Sequence, residues 1–205
     1  MFYTYVVDRC CNSSDTLYNV LTPYEETRLN KKLFYPYILP NDVACNAWGG
    51  NLAYAWNDDY TPALFVHSPG GDTFPMWFTF DMGENYKLSR FVMVSRYYPG
   101  KYGNTFKAGH PKHFELWGSN EPNPDGSFDD SWVLLSEYES VKPSGGGVND
   151  ALTTEDQEAA KNGENFIIPD NAPAVRYIRF KTNDTCVKTR YMHLHELTFF
   201  GASHN

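Results

Sequence analysis

Two stretches near the end of the chain decide its fold: Val175-Arg-Tyr-Ile-Arg-Phe-Lys181 and, after a short loop, Met192-His-Leu-His-Glu-Leu-Thr-Phe-Phe-Gly201. Both are rich in β-branched and aromatic residues, which are common in strands. The loop between them is short enough for the two strands to be neighbours. We therefore expect a closing pair of strands and a fold dominated by β-structure.

The composition agrees with an all-β domain. The chain has 205 residues, of which 17% are aromatic, and its glycines and prolines are scattered along it. A chain of this length buries a substantial core, and frequent turn residues indicate many short strands. Aromatic residues that stay on the surface suit the flat faces of sugars or proteins.

Charge and hydropathy exclude several classes of protein. The formal net charge of −8 argues against a nucleic-acid partner, because phosphate binding draws on clustered lysines and arginines. No stretch approaches the roughly 20 apolar residues of a transmembrane helix. The first eight residues lack the basic start and cleavage site of a signal peptide, so we expect that a leader was removed or that the domain comes from a longer protein.

The cysteines do not indicate a metal site. Cys10, Cys11, Cys45 and Cys186 form no C-x-x-C pair, which makes a zinc ribbon improbable. Free or partly buried thiols are favoured over a disulfide framework.

The hydrophobic pattern predicts the order of elements. Alternating or apolar runs with turn clusters between them indicate strands at 77–81, 88–95, 114–118 and 132–136. The sequence Thr154-Glu-Asp-Gln157 fits a capping box, and Gly163 fits a helix end, so one short helix is expected there. Residues 1–44 are irregular, with a short helix expected around 25–32. We interpret them as an N-terminal extension or elaborated first strands.

The order of several motifs resembles the discoidin-type family, also known as the coagulation factor C-type family. The chain is most similar to the discoidin-like C-terminal domains of surface proteins encoded beside polysaccharide-uptake systems in gut Bacteroidetes. The matching segments are Trp56-Asn-Asp-Asp-Tyr-Thr61, Leu64-Phe-Val-His-Ser68, Phe78-Thr-Phe-Asp-Met-Gly83, His113-Phe-Glu-Leu-Trp-Gly-Ser119, Val175-Arg-Tyr-Ile-Arg179 and His195-Glu-Leu-Thr-Phe-Phe-Gly201. The resemblance implies a galactose-binding-like jelly-roll β-sandwich over residues 45–205, with binding loops at one rim.

The same resemblance implies a structural calcium ion. In the family, a glutamate of the last strand reaches back to a cation loop that usually reads Asp-Gly-Asp, where this chain has Asn57-Asp-Asp59. Calcium takes six to eight oxygen ligands. The candidate ligands are Asn57, Asp58, Asp59, Thr61 and Glu196. The alternative is an acidic surface turn in which Glu196 pairs with an arginine.

A second metal hypothesis concerns His193 and His195. They lie two residues apart and so share one face of a strand, where two imidazoles could bind a transition metal. No third ligand is evident, and ordinary half-buried strand histidines are the favoured interpretation.

Sugar recognition needs an aromatic platform and a few planar hydrogen-bonding groups. The loop at 95–110 follows a buried strand and carries both kinds of residue, with a further tryptophan beside Gly49 and Gly50. The candidate ligand contacts are Arg96, Tyr97, Tyr98, Tyr102, Asn104, His110 and Trp48. The alternative is that these aromatic residues pack the loops against one another.

The sequence therefore predicts a non-catalytic carbohydrate-binding module of a secreted or cell-surface bacterial protein, located outside the cell, on its surface or in the periplasm. Neighbouring domains of a larger protein are a further expected partner. The alternatives are a structural or protein-interaction domain without a sugar site, and a glycoside hydrolase. The chain contains neither a G-x-S-x-G elbow nor a P-loop, so an enzyme is not expected.

Overall fold

The computed structural model describes residues 2–10, 12–14, 17–19, 26–71, 73–96 and 103–204. The strands are β1 (Phe2–Thr4), β2 (Leu17–Asn19), β3 (Thr27–Arg28), β4 (Tyr35–Pro36), β5 (Val66–His67), β6 (Met76–Val94), β7 (Pro111–Ser119), β8 (Val133–Glu139), β9 (Glu164–Ile167), β10 (Val175–Thr185), β11 (His193–Leu194) and β12 (Glu196–Ser203). The helix α1 spans Thr154–Asn162, and 3-10 turns cover Lys31–Leu33, Ala47–Gly49 and Leu52–Trp56.

Strand β6 belongs to both layers of a sandwich. Its first part pairs with β4 and β10, and β10 continues the layer to β7 and β8. Its second part pairs with β9 and β12, and β12 continues to β3. The predicted all-β sandwich with one short helix is confirmed. The prediction that the two C-terminal strands are neighbours is wrong, because β10 and β12 pair with different parts of β6 and not with each other.

Gly83 lies where β6 passes from one layer to the other. Its φ of +85° is in the left-handed region, which glycine adopts far more readily than other residues. A Cβ atom at this position would lie 2.7 Å from the carbonyl oxygen of Leu33 and 2.8 Å from its Cβ. The glycine therefore permits both the bend of the strand and the close approach of the preceding segment.

Phenylalanines fill the space between the layers. Phe78 stacks on Phe180 with ring centroids 5.4 Å apart, and Phe91 stacks on Phe199 at 5.4 Å. Phe80 reaches Phe199 across the core at 5.7 Å. All five side chains are fully buried, so a large part of the aromatic content serves core packing.

The helix matches its prediction apart from a shift of one residue at its start. The N-cap is Thr153, whose hydroxyl accepts from the N–H of Asp156 while the Asp156 carboxylate accepts from the N–H of Thr153. Gly163 forms the C-cap, as predicted. With nine residues α1 is the longest helix in the described part of the chain, and no helix there could cross a membrane.

The short helix predicted around 25–32 is wrong for the residues described. Thr27 and Arg28 form β3 against β12, because their backbone groups complete the edge of that layer. A single 3-10 turn follows at Lys31–Leu33, capped by the side chain of Asn30. Leu29 and Phe34 are buried in the core, so this segment is packed into the sandwich.

The cysteines that the structure describes are free thiols, in agreement with the sequence-based interpretation. Cys10 is exposed, Cys45 is buried and Cys186 is partly buried. Cys11 lies outside the described residues.

We expect Gly83→Ala to destabilise the domain more than Gly145→Ala. Both positions have positive φ, but a Cβ at Gly145 would meet nothing within 4 Å, so that variant bears only the backbone strain. The clash with Leu33 adds about 2 kcal/mol for Gly83→Ala. Urea denaturation of both variants measures the difference, and equal free energies of unfolding would contradict this explanation of the bend.

Candidate functional site

The loop around Trp48 lies against β5. Asn46 forms a parallel bridge with His67, and the N–H of Asn51 donates to the carbonyl of Phe65 at 3.1 Å. A Cβ at Gly50 would lie 3.0 Å from the oxygen of Phe65. The glycine is therefore needed for this close approach, which fixes the loop beside Phe65 and His67.

Trp48 is presented to solvent at the tip of this loop. Its residue surface is 82% exposed, and its backbone is in the left-handed region, at φ 56° and ψ 29°. That conformation costs about 1–2 kcal/mol for a residue with a Cβ. An exposed indole held on strained backbone is unfavourable for stability, and such outliers concentrate at functional sites.

Arg96 contacts the ring of Phe65. Its guanidinium carbon is 3.6 Å from the centroid of that ring, a cation–π contact. This stacking restrains the plane of the guanidinium over Phe65, whose carbonyl accepts from Asn51 at the end of the Trp48 loop. We call the group formed by the exposed Trp48, the partly exposed Arg96 and the buried side chains of Phe65 and His67 the aromatic rim.

Histidines form the floor of the aromatic rim. Strand β11 pairs with β5 so that His193 is opposite His67, with ring centroids 5.7 Å apart. The His67 ring stacks on Tyr191 at 4.9 Å. The Nε2 atom of His193 accepts from the N–H of Gly109 at 3.1 Å. Burial and the positive charge of Arg96 lower the pKa of both His67 and His193, so both rings are neutral at pH 7.

His193 and His195 do not act as a pair. His193 packs against His67. The His195 ring lies 5.8 Å from that of Tyr60, and the backbone N–H of His195 donates to the carbonyl of Val94. Among the described residues there is no group of three or more histidine, cysteine, aspartate or glutamate side chains that could hold a metal ion. Both histidines are buried strand-end residues.

The predicted ligand contacts do not all come together. Trp48 and Arg96 both adjoin Phe65, Trp48 through its loop and Arg96 through its side chain, whereas Asn104 is half-buried in the turn at 103–106. His110 is wrong as an exposed contact: it is fully buried, with Nε2 2.8 Å from Ser140 Oγ and 3.1 Å from Glu164 Oε1. Its ring thus links β9 to the end of β8. Tyr97, Tyr98 and Tyr102 lie outside the described residues.

Sequence reasoning gave no binding role to Phe65, His67 or Tyr191. Phe65 and His67 belong to the segment Leu64-Phe-Val-His-Ser68, which was noted only for its family resemblance. Phe65 immediately precedes the short strand β5 and His67 ends it, so the two residues are two positions apart along an extended segment. That spacing, next to a Gly-Gly loop, is the signal that points to them.

The predicted cation loop and Glu196 do come together, but around a lysine. The Nζ atom of Lys31 is 2.8 Å from Asp58 Oδ1 and 2.5 Å from Glu196 Oε1. Arg28 also contacts Asp58 Oδ1. We call these four residues the ion cluster.

The remaining predicted ligands stabilise the turn. Asn57 Oδ1 accepts from the N–H of Asp59 at 2.9 Å, and Asp59 Oδ1 accepts from the N–H of Thr61 at 2.9 Å. These residues are a poor fit for a calcium ion, because Asp58 Oδ1 and Glu196 Oε1 already bind an ammonium, and Asn57 Oδ1 and Asp59 Oδ1 accept from amides. Among the described residues, the second carboxylate oxygen of Glu196 is buried without a hydrogen-bond partner. The calcium ion expected from the sequence stays a prediction.

The pKa values of the two carboxylates in the ion cluster shift in opposite directions. Burial raises the pKa of Glu196 to about 7, although Lys31 acts in the opposite direction. Burial also acts to raise the pKa of Asp58, but hydrogen bonds from Lys31 and Arg28 outweigh it, and the net shift is downward.

Comparison with known families identifies the chain. A family model described as a domain of unknown function, DUF5000, matches residues 56–201. The chain belongs to the DUF5000 family. The match begins at Trp56, just before the turn that carries Asp58, and ends at Gly201 in β12, so it includes Arg96, His193 and Glu196 but not Trp48 or Lys31. A comparison with curated proteins gives no match.

Solved structures extend this assignment. The SusE-like protein BT2857 is 34% identical and has a TM-score of 0.81, and the alignment covers 98% of this chain and 76% of that one. The module CBM32-3 of a family 31 glycoside hydrolase from Clostridium perfringens is 16% identical, with a TM-score of 0.57 and coverage of 85% and 95%. The family 32 CBM of Clostridium perfringens NanJ, in complex with galactose, is 12% identical, with a TM-score of 0.53 and coverage of 85% and 98%.

These likenesses confirm the predicted relationship. This DUF5000 domain is discoidin-like, with a galactose-binding-like fold, and is similar to domains of Bacteroidetes polysaccharide-utilisation surface proteins.

We expect acid to weaken the floor of the aromatic rim. Because folding lowers the pKa of His193, its neutral form contributes stability that is present above pH 6.5 and is lost as the pH falls below it. The loss reaches about 1.4 kcal/mol per pH unit. The melting temperature of wild type should therefore move toward that of His193→Asn between pH 7 and pH 5.

The control for this measurement is His204→Asn, which replaces an exposed histidine near the end of β12. A gap between wild type and His193→Asn that is the same at pH 7 and pH 5 would contradict the prediction.

Proposed function

We propose that this domain is a non-catalytic carbohydrate-binding module of a bacterial cell-surface protein, and that the aromatic rim is its sugar site. The observation that carries the proposal is Trp48, an indole that is 82% exposed on left-handed backbone, in a loop bonded to the Phe65 backbone, while Arg96 stacks on the Phe65 ring. A sugar offers an apolar face to an aromatic ring and hydroxyl groups to planar donors. Trp48 and Arg96 supply these two functions.

The rim is suited to a ligand with many hydroxyl groups. The guanidinium of Arg96 presents donors in a rigid fork, and contact with Phe65 restrains it before a ligand arrives. His67 is only 4% exposed, and its Nδ1 atom is 2.6 Å from the carbonyl of Ser68, so its ring packs beside Phe65 and is not counted among the sugar contacts.

The relatives support the same function. The chain is 34% identical to a SusE-like protein, and a family 32 CBM of the same fold was solved with galactose. From the SusE-like relative we infer a place on the cell surface and neighbouring domains as further partners. Both family 32 relatives are named as binding modules, which supports a domain without a reaction of its own.

A structural or protein-interaction role is the second candidate. Tyr5, Val6 and Val7 are 61%, 72% and 52% exposed, and exposed apolar residues in a row favour contact with another protein surface. These residues precede the sandwich, so this role is compatible with sugar binding at the rim.

We expect Trp48→Ala to weaken sugar binding by at least about tenfold, equivalent to about 1.4 kcal/mol, because the stacking surface is lost. Isothermal titration calorimetry with galactose and a panel of polysaccharides measures the affinity. Tyr35→Ala is the matched control, since Tyr35 is 61% exposed but pairs with Asp81 of β6, away from Arg96. No binding of wild type to any glycan would overturn the proposed function.

Two further substitutions test the contributions of the Trp48 indole and the Arg96 guanidinium to binding separately from their effects on stability. Trp48→Gly should lose binding as Trp48→Ala does, yet be about 1 kcal/mol more stable, because glycine relieves the positive φ. Arg96→Lys keeps the charge but removes the planar fork, and it should weaken binding about tenfold. Full affinity in Arg96→Lys would exclude the guanidinium as a sugar contact.

A further inference from the structure

Lys31 has an unusual environment for a lysine. Its side chain is 5% exposed, and that of Glu196, 2.5 Å away, is fully buried. Lysine and glutamate are almost never buried unless they are paired. The ammonium also binds Asp58 at 2.8 Å, so one nitrogen joins the last strand to the 57–61 turn.

The backbone is arranged to make this contact. The N–H of Leu29 donates to the carbonyl of Phe199 at 3.0 Å, which ties the segment before Lys31 to β12. The side chain of Asn30 then caps the 3-10 turn that starts at Lys31. On the opposite side, Asp58 has a φ of 58°, a strained conformation that directs its carboxylate to the ammonium.

The ion cluster is balanced in charge without a metal. Arg28 and Lys31 carry two positive charges, and Asp58 and Glu196 can supply two negative charges. A divalent cation between the same carboxylates would lie next to an ammonium, and the repulsion would be large at low dielectric. Asn57 Oδ1 and Asp59 Oδ1 already accept from backbone amides, which leaves fewer side-chain oxygens for the six to eight ligands that calcium takes.

We propose that the ammonium of Lys31 is a built-in cation that replaces a structural calcium ion, so that the domain reaches full stability without a bound metal. One end of the sandwich is then joined by a side chain of the domain itself. This inference does not depend on sugar binding, and its test can fail while the proposed function stands.

The ammonium groups of two other lysines also bind several oxygens of a loop. Lys142 Nζ donates to the carbonyls of Gly147 at 3.2 Å and Asp150 at 3.1 Å, with Asp156 at 3.8 Å. Lys87 Nζ donates to the carbonyl of Asp170 at 2.6 Å and to that of Ala172. Carbonyl and carboxylate oxygens are also the ligands that calcium prefers, so ammonium groups repeatedly take positions that a hard cation could fill.

The first experiment is thermal unfolding of wild type with EDTA and with calcium chloride in excess. A metal that binds only the folded state raises the melting temperature by mass action. We expect the melting temperature to be unchanged within about 1 °C in both conditions. A rise with calcium and a fall with EDTA would overturn the proposal and restore the calcium prediction.

The second experiment is a double-mutant cycle on the pair. Lys31→Met leaves Glu196 buried without its partner and should lower the melting temperature by about 10 °C. The double variant K31M/E196Q should recover more than half of that loss, because no unpaired charge is left. Lys32→Met, at the exposed neighbouring position, is the matched control and should stay within about 2 °C of wild type.

The cycle has clear contrary outcomes. If Lys31→Met has the same melting temperature as the Lys32→Met control, the Lys31 ammonium does not stabilise the domain and the proposal is wrong. A loss that the double variant does not reduce would show that Lys31 acts by packing rather than by charge. If Lys31→Met does not fold, a folded double variant supports the proposal and an unfolded one contradicts it.

Discussion

The sandwich depends on one strand that belongs to both of its layers. Strand β6 runs continuously through Met76–Val94, and its two parts, on either side of the bend at Gly83, hydrogen-bond to different neighbours. The positions of the layers relative to each other are therefore set by one covalent chain, whose bend requires Gly83. Packing then follows from this geometry, because Phe80 and Phe91 lie on the two arms and both approach Phe199.

The C-terminal end of β6 explains where the candidate sites lie. Val94 leads directly to Arg96, and its carbonyl accepts from the N–H of His195, so the chain leaves the sheet beside β11. The β5–β11 pair brings Phe65, His67 and His193 to the same edge. Glu196, which follows His195, pairs with Val94, and its side chain contacts Lys31. The aromatic rim and the ion cluster are thus neighbours because both are built where β6 meets β12.

The sequence predicts the parts of this arrangement that local pattern controls. Alternating and apolar runs gave the strands around Phe78, Phe91 and Phe114, and the capping box gave α1. The approach of Glu196 to the 57–61 turn came from family resemblance, since no local pattern brings distant residues together. Lys31 was missed because its segment was interpreted as a helix, whereas pairing with β12 overrides that local preference. His110 was misplaced for a related reason: a polar residue in a loop suggests exposure, but Ser140 and Glu164 satisfy its ring inside the protein.

The ion cluster and Trp48 both contain features that are unfavourable for stability, a buried charge in the first and an exposed indole on strained backbone in the second. A buried ion pair contributes little net stability, because desolvation offsets most of the attraction between its charges. However, any alternative packing that buries one charge without its partner is strongly destabilised. The ion pair therefore favours the register in which β12 meets the 57–61 turn. Trp48 differs, because its indole is 82% exposed and its backbone is strained. The left-handed backbone at Asp58 is accompanied by ion pairs to Lys31 and Arg28 inside the domain, whereas the Trp48 side chain remains available to a ligand. This contrast is the physical reason to assign a structural role to the cluster and a binding role to the rim.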